Sequence, residues 1–146
     1  MHGSSYDLMR NFIAEHLEDR AALSVADVGS FNVNGCYRPL FQRDGWKYTG
    51  FDLAEGPNVD RLLDCERDVP VEFHGQFDVV ISHSRSHTMT LLSQLRQPPQ
   101  LALIDLGLPP FPHRPDEGFA LISDLLALSP EMKIIVLSGQ NDEDNA

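Results

Sequence analysis

Along the first 20 residues, Leu8, Met9, Phe12, Ile13 and Leu17 recur at three- and four-residue steps with charged positions between them. This is the pattern of a helix with one buried stripe. After it the pattern changes. Short apolar runs follow at Leu23 to Val28, Lys47 to Leu53, Phe77 to Ser82, Leu101 to Leu106 and Lys133 to Ser138, each closed by glycine or polar residues. They do not alternate. Val79-Val80-Ile81 and Ile134-Ile135-Val136-Leu137 are apolar at consecutive positions, which suits strands covered on both faces and hence a parallel sheet between helices. Helices are predicted over Thr88 to Arg96, stopped by Pro98-Pro99, and over Glu117 to Leu128, stopped at Pro130. A shorter helix is predicted around Tyr37 to Arg43, and a short strand within Val59 to Cys65, punctuated by Pro57 and Asn58. Strand and helix in repeated alternation predict a single doubly wound α/β domain, Rossmann-like, with a mostly parallel sheet in a three-layer α/β/α arrangement. Ligands of such folds sit at the carboxyl ends of the strands.

Composition narrows the partners. The chain has 146 residues, 42% of them apolar, which is one domain with enough core to need neither disulfides nor a structural metal. Its two cysteines, Cys36 and Cys65, fit a reducing, cytoplasmic setting. Eleven basic against 22 acidic residues give a net charge of −11. That balance excludes partners whose affinity comes from neutralising phosphates, so neither nucleic acid nor an anionic membrane is expected. No apolar run reaches the roughly 18 to 20 residues of a membrane span, and Met1-His2-Gly3-Ser4-Ser5 lacks the basic and apolar regions of a signal peptide.

The most informative stretch is the strand Ser24 to Val28 running into Gly29-Ser30-Phe31-Asn32-Val33-Asn34-Gly35. Glycines at both ends of a strand-to-helix turn let a cofactor approach bare backbone, and the N–H groups of the following helix start are donors for a polar ligand group. Asp52, which ends the next strand, lies 25 residues beyond Asp27. That is close to the roughly 20-residue spacing of a carboxylate that accepts hydrogen bonds from ribose hydroxyls. On these residues alone a tight turn and a solvated strand end explain the pattern as well as nucleoside binding does.

Taken in order, Ala26-Asp27-Val28-Gly29-Ser30, Asn34 to Phe41, Tyr48 to Asp52, Gly56 to Asp60 and Phe77 to Ser82 resemble the first half of a class I S-adenosylmethionine-dependent methyltransferase. The resemblance covers about residues 1 to 82. It implies that the turn containing Asp27, Gly29, Ser30 and Gly35 approaches the methionine part of S-adenosylmethionine, that Asp52 binds the ribose, and that Asp64 contacts the adenine. With right-handed crossovers it also implies the strand order 3-2-1-4-5-6; a flavodoxin-like order of five strands is the alternative.

From about His87 onward the sequence departs from that family. Thr88 to Pro99, Leu101 to Pro110, Glu117 to Pro130 and Lys133 to Asp142 resemble the receiver domain of a bacterial sigma-54-type response regulator. The two resemblances meet between residues 82 and 88. In a receiver the position of Asp105 is the phosphoacceptor and that of Ser138 the switch hydroxyl. Receivers also need two acidic residues from the first strand to hold Mg²⁺, and a lysine at the end of their last strand. The first strand here ends in a glycine turn, Lys133 begins its strand, and the sequence reaches Ala146 without the lysine-bearing strand. Asp105 and Ser138 therefore read as a former phosphoacceptor site, with no metal expected.

Other features point less far. His83 and His87 share a helical face if a helix begins there, with Asp105 as a third ligand near them; ordinary polar residues explain them as well. Cys36 lacks a histidine base nearby in sequence, Cys65 reads as a small buried residue, and Trp46 and Tyr48 read as core aromatics. The simplest account of two half-families joined at matching elements is a recombined or engineered chimera with no selected catalytic activity and at most a residual S-adenosylmethionine-type pocket. A small methyltransferase and a receiver-like signalling module are the alternatives. The last strand has no following helix, so its open edge offers a route to a homodimer.

Overall fold

In the computed structural model, residues 3–32, 35–64, 70–73, 75–93, 101–105 and 114–137 are described. The chain is α/β with parallel strand pairing throughout. The opening stripe forms α1 (Gly3–His16), whose Met9, Phe12 and Ile13 are buried with Leu17 just beyond it. Then come β1 (Leu23–Val28), β2 (Trp46–Asp52), β3 (Arg61–Leu62), β4 (Val79–Ser82), α2 (Arg85–Ser93), β5 (Leu101–Asp105), α3 (Asp116–Leu128) and β6 (Lys133–Leu137). No helix among the described residues is long and apolar enough to cross a membrane.

Four strands form one ladder in the order β3-β2-β1-β4. Register is set at the base, where Ser24 N–H donates to the Asp78 carboxylate and Asp78 N–H donates to the Ser24 carbonyl, both at 2.9 Å. This places Val25 opposite Val79 and Asp27 opposite Ile81. The strands β5 and β6 form a second parallel ladder, Leu101 opposite Lys133 through Asp105 opposite Leu137. The first ladder has the expected order 3-2-1-4, and no ladder hydrogen bond joins β4 to β5 among the described residues.

Side-chain packing bridges the two ladders. Met9, Phe12, Ile13, Leu17, Leu23, Val25, Phe41 and Ile81 make one core, and Leu101, Leu103 and Ile135 pack against it from β5 and β6. The opposite faces of those strands, through Ala102, Ile104 and Ile134, join Leu92, Leu121, Leu125 and Met132 in a second core under α2 and α3. Apolar residues are thus used on both faces at 101–104 and at Ile134 and Ile135, whereas Val136, like Val80 of β4, is 44% exposed, so the expected cover on both faces is incomplete there. Arg85 at the start of α2 pairs with Asp124 at 2.8 Å and Glu117 at 3.7 Å on α3, and the hydrogen bond to Asp124 is the main cause of its raised pKa.

Two elements differ from their sequence-based expectation. Between β1 and β2 a 3-10 turn, Arg38–Phe41, stands where a short helix is expected. Pro39 carries no N–H and sits at the start of a segment too short to propagate an α-helix. The helix α2 begins at Arg85, three residues earlier than expected, because Ser84 caps it: Ser84 Oγ accepts from His87 N–H at 3.2 Å.

If the bridging contacts make one cooperative unit, damage to the second core must be felt in the first. Trp46, the chain's one tryptophan, packs on the first core, while Leu125 is 1% exposed in the second. Leu125→Ala should destabilise by about 2–5 kcal/mol and shift the urea midpoint read by Trp46 fluorescence. A Trp46 transition left in place would mean that the two cores unfold independently.

Candidate functional site

The order β3-β2-β1-β4 reverses direction between β1 and β4, since chain succession runs from β1 to β2 on one side and arrives at β4 on the other. The carboxyl ends of these two strands form the switch point at which α/β sheets hold ligands. Asp27, Gly29, Ser30 and His83 lie there, with Asp52 one strand away.

Residues two apart on a strand share a face. Asp27 follows Val25 and Tyr48 follows Trp46, so these two side chains project toward the α1 side, where Val25 and Trp46 already pack, and His83 stands one residue past the end of β4. There they meet. Asp27 is 1% exposed. Its Oδ2 accepts from the Tyr48 hydroxyl, and its Oδ1 lies 2.7 Å from His83 Nε2. Burial, reinforced by the charge of Asp27, drives the Tyr48 pKa far above its ordinary value and keeps the phenol protonated. Burial acts to lower the His83 pKa, but the hydrogen bond to Asp27 and its charge outweigh that and leave His83 above the usual imidazole value.

A second layer of polar contacts fixes the turn. Asn58 adopts a left-handed backbone with φ of 71°. Its amide donates to the Ser30 carbonyl at 2.9 Å and to the Tyr48 hydroxyl at 3.5 Å, and its carbonyl accepts from Ser30 Oγ at 3.0 Å. Arg38 donates through Nε to Asn58 Oδ1 at 2.6 Å and stacks on the Tyr48 ring at 4.5 Å. It also pairs with Asp60. Although its partial burial opposes ionisation, the Gly50 N–H and the Arg38 guanidinium hold Asp60 below the usual carboxylate range. A Cβ on Gly50 would lie 2.0 Å from the Asn58 carbonyl oxygen, so the close approach of this loop requires glycine. Gly29, with φ of 79°, occupies the left-handed region at the turn itself.

The sequence-derived residues divide. Asp52 is half-buried at the end of β2; its Oδ2 accepts from Phe31 N–H at 2.9 Å and its Oδ1 from Leu53 N–H at 2.7 Å. Each oxygen keeps a further acceptor site for a hydroxyl. Asp64 is half-buried just past β3, beside Leu63, whose N–H donates to the Asp52 carbonyl at 2.8 Å. Ser30 is buried, and its hydroxyl serves Asn58. Asp105 ends β5 opposite Leu137. Ser138, Asn34 and Cys65 lie outside the described residues, and among the described residues no three His, Cys, Asp or Glu side chains cluster to hold a metal ion.

The turn does not offer the expected row of N–H donors. Gly29 and Ser30 N–H both donate to the Phe51 carbonyl, Asn32 N–H to the Pro57 carbonyl, and Gly35 N–H to Asn32 Oδ1. With Phe31 N–H committed to Asp52, the described N–H groups of the loop, at 29–32 and 35, are all used internally. A helix start does not follow either, because the next element is the 3-10 turn. Recognition at this end therefore falls to side chains. The residue that sequence reasoning undervalued is His83: its place directly after β4 is its signal, and it becomes readable once β4 is taken as the neighbour of β1.

Because the fold favours protonated His83, its stabilising contribution is complete below the unfolded value of about 6.5 and is lost as pH rises through the higher folded value. Unfolding free energies of the native chain and His83→Gln, measured by urea from about pH 5.5 to 8.5, should converge as pH rises across that window. A difference independent of pH would contradict the Asp27–His83 pairing.

The chain matches no protein-family model, no curated protein and no solved structure.

Proposed function

We propose that this domain holds an S-adenosylmethionine-type cofactor across the carboxyl ends of β1 and β2, on a sheet completed by a receiver-like second half. The observation that carries this is the placement of Asp52: a half-buried carboxylate at the end of the strand beside β1, oriented by Phe31 N–H, with acceptor capacity left for vicinal hydroxyls. Asp64, next along the sheet edge, would meet the adenine, and the Gly29 turn would meet the methionine part, as the resemblance of residues 1 to 82 implies. The net charge of −11 supports a small ligand over a nucleic acid.

The division of the strands into two ladders coincides with the place where the two sequence resemblances meet, between residues 82 and 88. We read the chain as recombined from two α/β part-domains, with the six strands ordered 3-2-1-4-5-6 between α1 on one face and α2 and α3 on the other. Packing of Leu101, Leu103 and Ile135 on the α1 core supports that order. A working methyltransferase is the second reading, favoured by one observation: a buried carboxylate holds an imidazole at the same switch point. The receiver-like reading gains no such support. The acidic residue at the end of β1, Asp27, is committed to Tyr48 and His83.

Calorimetric titration with S-adenosylhomocysteine tests the site. The native chain should bind it, and Asp52→Ala should weaken binding at least tenfold, about 1.4 kcal/mol, with its urea midpoint essentially unchanged. No heat with the native chain, or equal affinity in Asp52→Ala, would remove the cofactor assignment.

A further inference from the structure

Outside the Asp27 site, one flank of α3 carries large apolar side chains that the fold leaves in solvent. Successive residues of a helix are offset by about 100°. Glu117 and Asp124 meet Arg85, so their flank of α3 faces α2. Gly118, Leu121 and Leu125 are buried over β5 and β6. Beyond them, on the flank away from α2, stand Phe119, Ile122 and Leu126, with Phe119 55% and Leu126 40% exposed. Ile122 borders the second core, as does Ile134 of β6. Val136, two residues on and therefore on the same face of β6, is exposed. Among the described residues β6 pairs with β5 alone, so its other edge is open. Helix flank and strand edge together make one apolar strip. By contrast β3, at the end of the other ladder, has two residues, too few to template a partner strand.

The charges around the strip select its occupant. Copies carrying −11 repel one another, so a contact between them needs a face without net negative charge. Four exposed charged residues stand at the ends of the strip: Arg114 and Asp116 at the N-terminal end of α3, and Glu131 and Lys133 after its C-terminal end, where β6 begins. They sum to zero. We propose that this strip is a homodimer interface, with β6 paired antiparallel to β6 of a second copy and α3 packed on α3 across a two-fold axis normal to the sheet. Strands pair about 4.8 Å apart, so helices lying over β5 and β6 in each copy come to about 10 Å apart, the spacing of packed helices. The axis sets Ile134 opposite the partner's Val136 and Phe119 beside the partner's Leu126. It also brings Asp116 to the partner's Lys133 and Arg114 to the partner's Glu131. Such a contact is isologous and closes at two copies. It stands apart from the cofactor reading, since β1 and β2 take no part in it.

Sedimentation of the full chain from about 1 µM to 1 mM should show its mass rise from 16.3 kDa toward twice that value. Phe119→Asp and Leu126→Glu should each raise the dimer dissociation constant about tenfold or more. The urea midpoint read by Trp46 at the lowest concentration should stay in place in both variants, because these side chains are already exposed in the single chain. Asp116→Lys should weaken the dimer by setting like charges face to face, and adding Lys133→Asp to it should restore the affinity. A mass that stays at one chain, a mass that climbs past two, or a dimer that Phe119→Asp and Leu126→Glu leave intact overturns the interface. A double variant Asp116→Lys with Lys133→Asp that dimerises no more tightly than Asp116→Lys alone overturns the two-fold arrangement.

Discussion

A carboxylate taken out of water is tolerated only where hydrogen bonds replace its hydration. Asp27 is buried at the carboxyl end of β1, and the geometry of this end of the sheet follows from meeting that requirement. Tyr48 supplies one donor from β2 and His83 the other from beyond β4, so a single side chain ties together the three strands of the switch point. Tyr48 must come from a strand in register with β1, and it does, opposite Val25. Its hydroxyl and ring then give Asn58 and Arg38 something to hold, and through Asn58 the turn at Ser30 is fixed.

The regular elements were legible because period and punctuation are local. Runs such as Val79 to Ile81 and Ile134 to Leu137 mark strands within a residue or two of their observed limits, and the stripe from Leu8 to Leu17 marks α1. The start of α2 depends on a capping hydroxyl, Ser84, whose signal is a single residue. The site was legible only in part. Asp52 could be located from its place after a strand, whereas the role of Asp27 depends on which strands flank β1. Tyr48 reads as core because its ring is core, while its hydroxyl does the polar work. The internal use of the Gly29, Ser30, Phe31 and Asn32 amides arises from contacts with residues 51 to 57, which no local pattern encodes.

The second half enters through packing. Residues 101 to 105 and 133 to 137 pair with each other and press Leu101, Leu103 and Ile135 onto the α1 core, so they cover apolar surface that the first half leaves beside Ile81 and Val79. A sheet needs both faces and both flanks covered to bury enough surface for stability. Where no backbone pairing joins β4 to β5 among the described residues, side-chain contact links the two ladders.

The central claim is that one ligand site lies at the ends of β1, β2 and β4, organised by Asp27. Its most direct test is the map of amide and histidine shifts when S-adenosylhomocysteine is added to the isotopically labelled chain. The account predicts changes concentrated at Gly29, Phe31, Asp52, Asp64 and the ring of His83, with β6 and α3 unmoved. Changes centred on β5, β6 and α3, or none at saturating ligand, would contradict it.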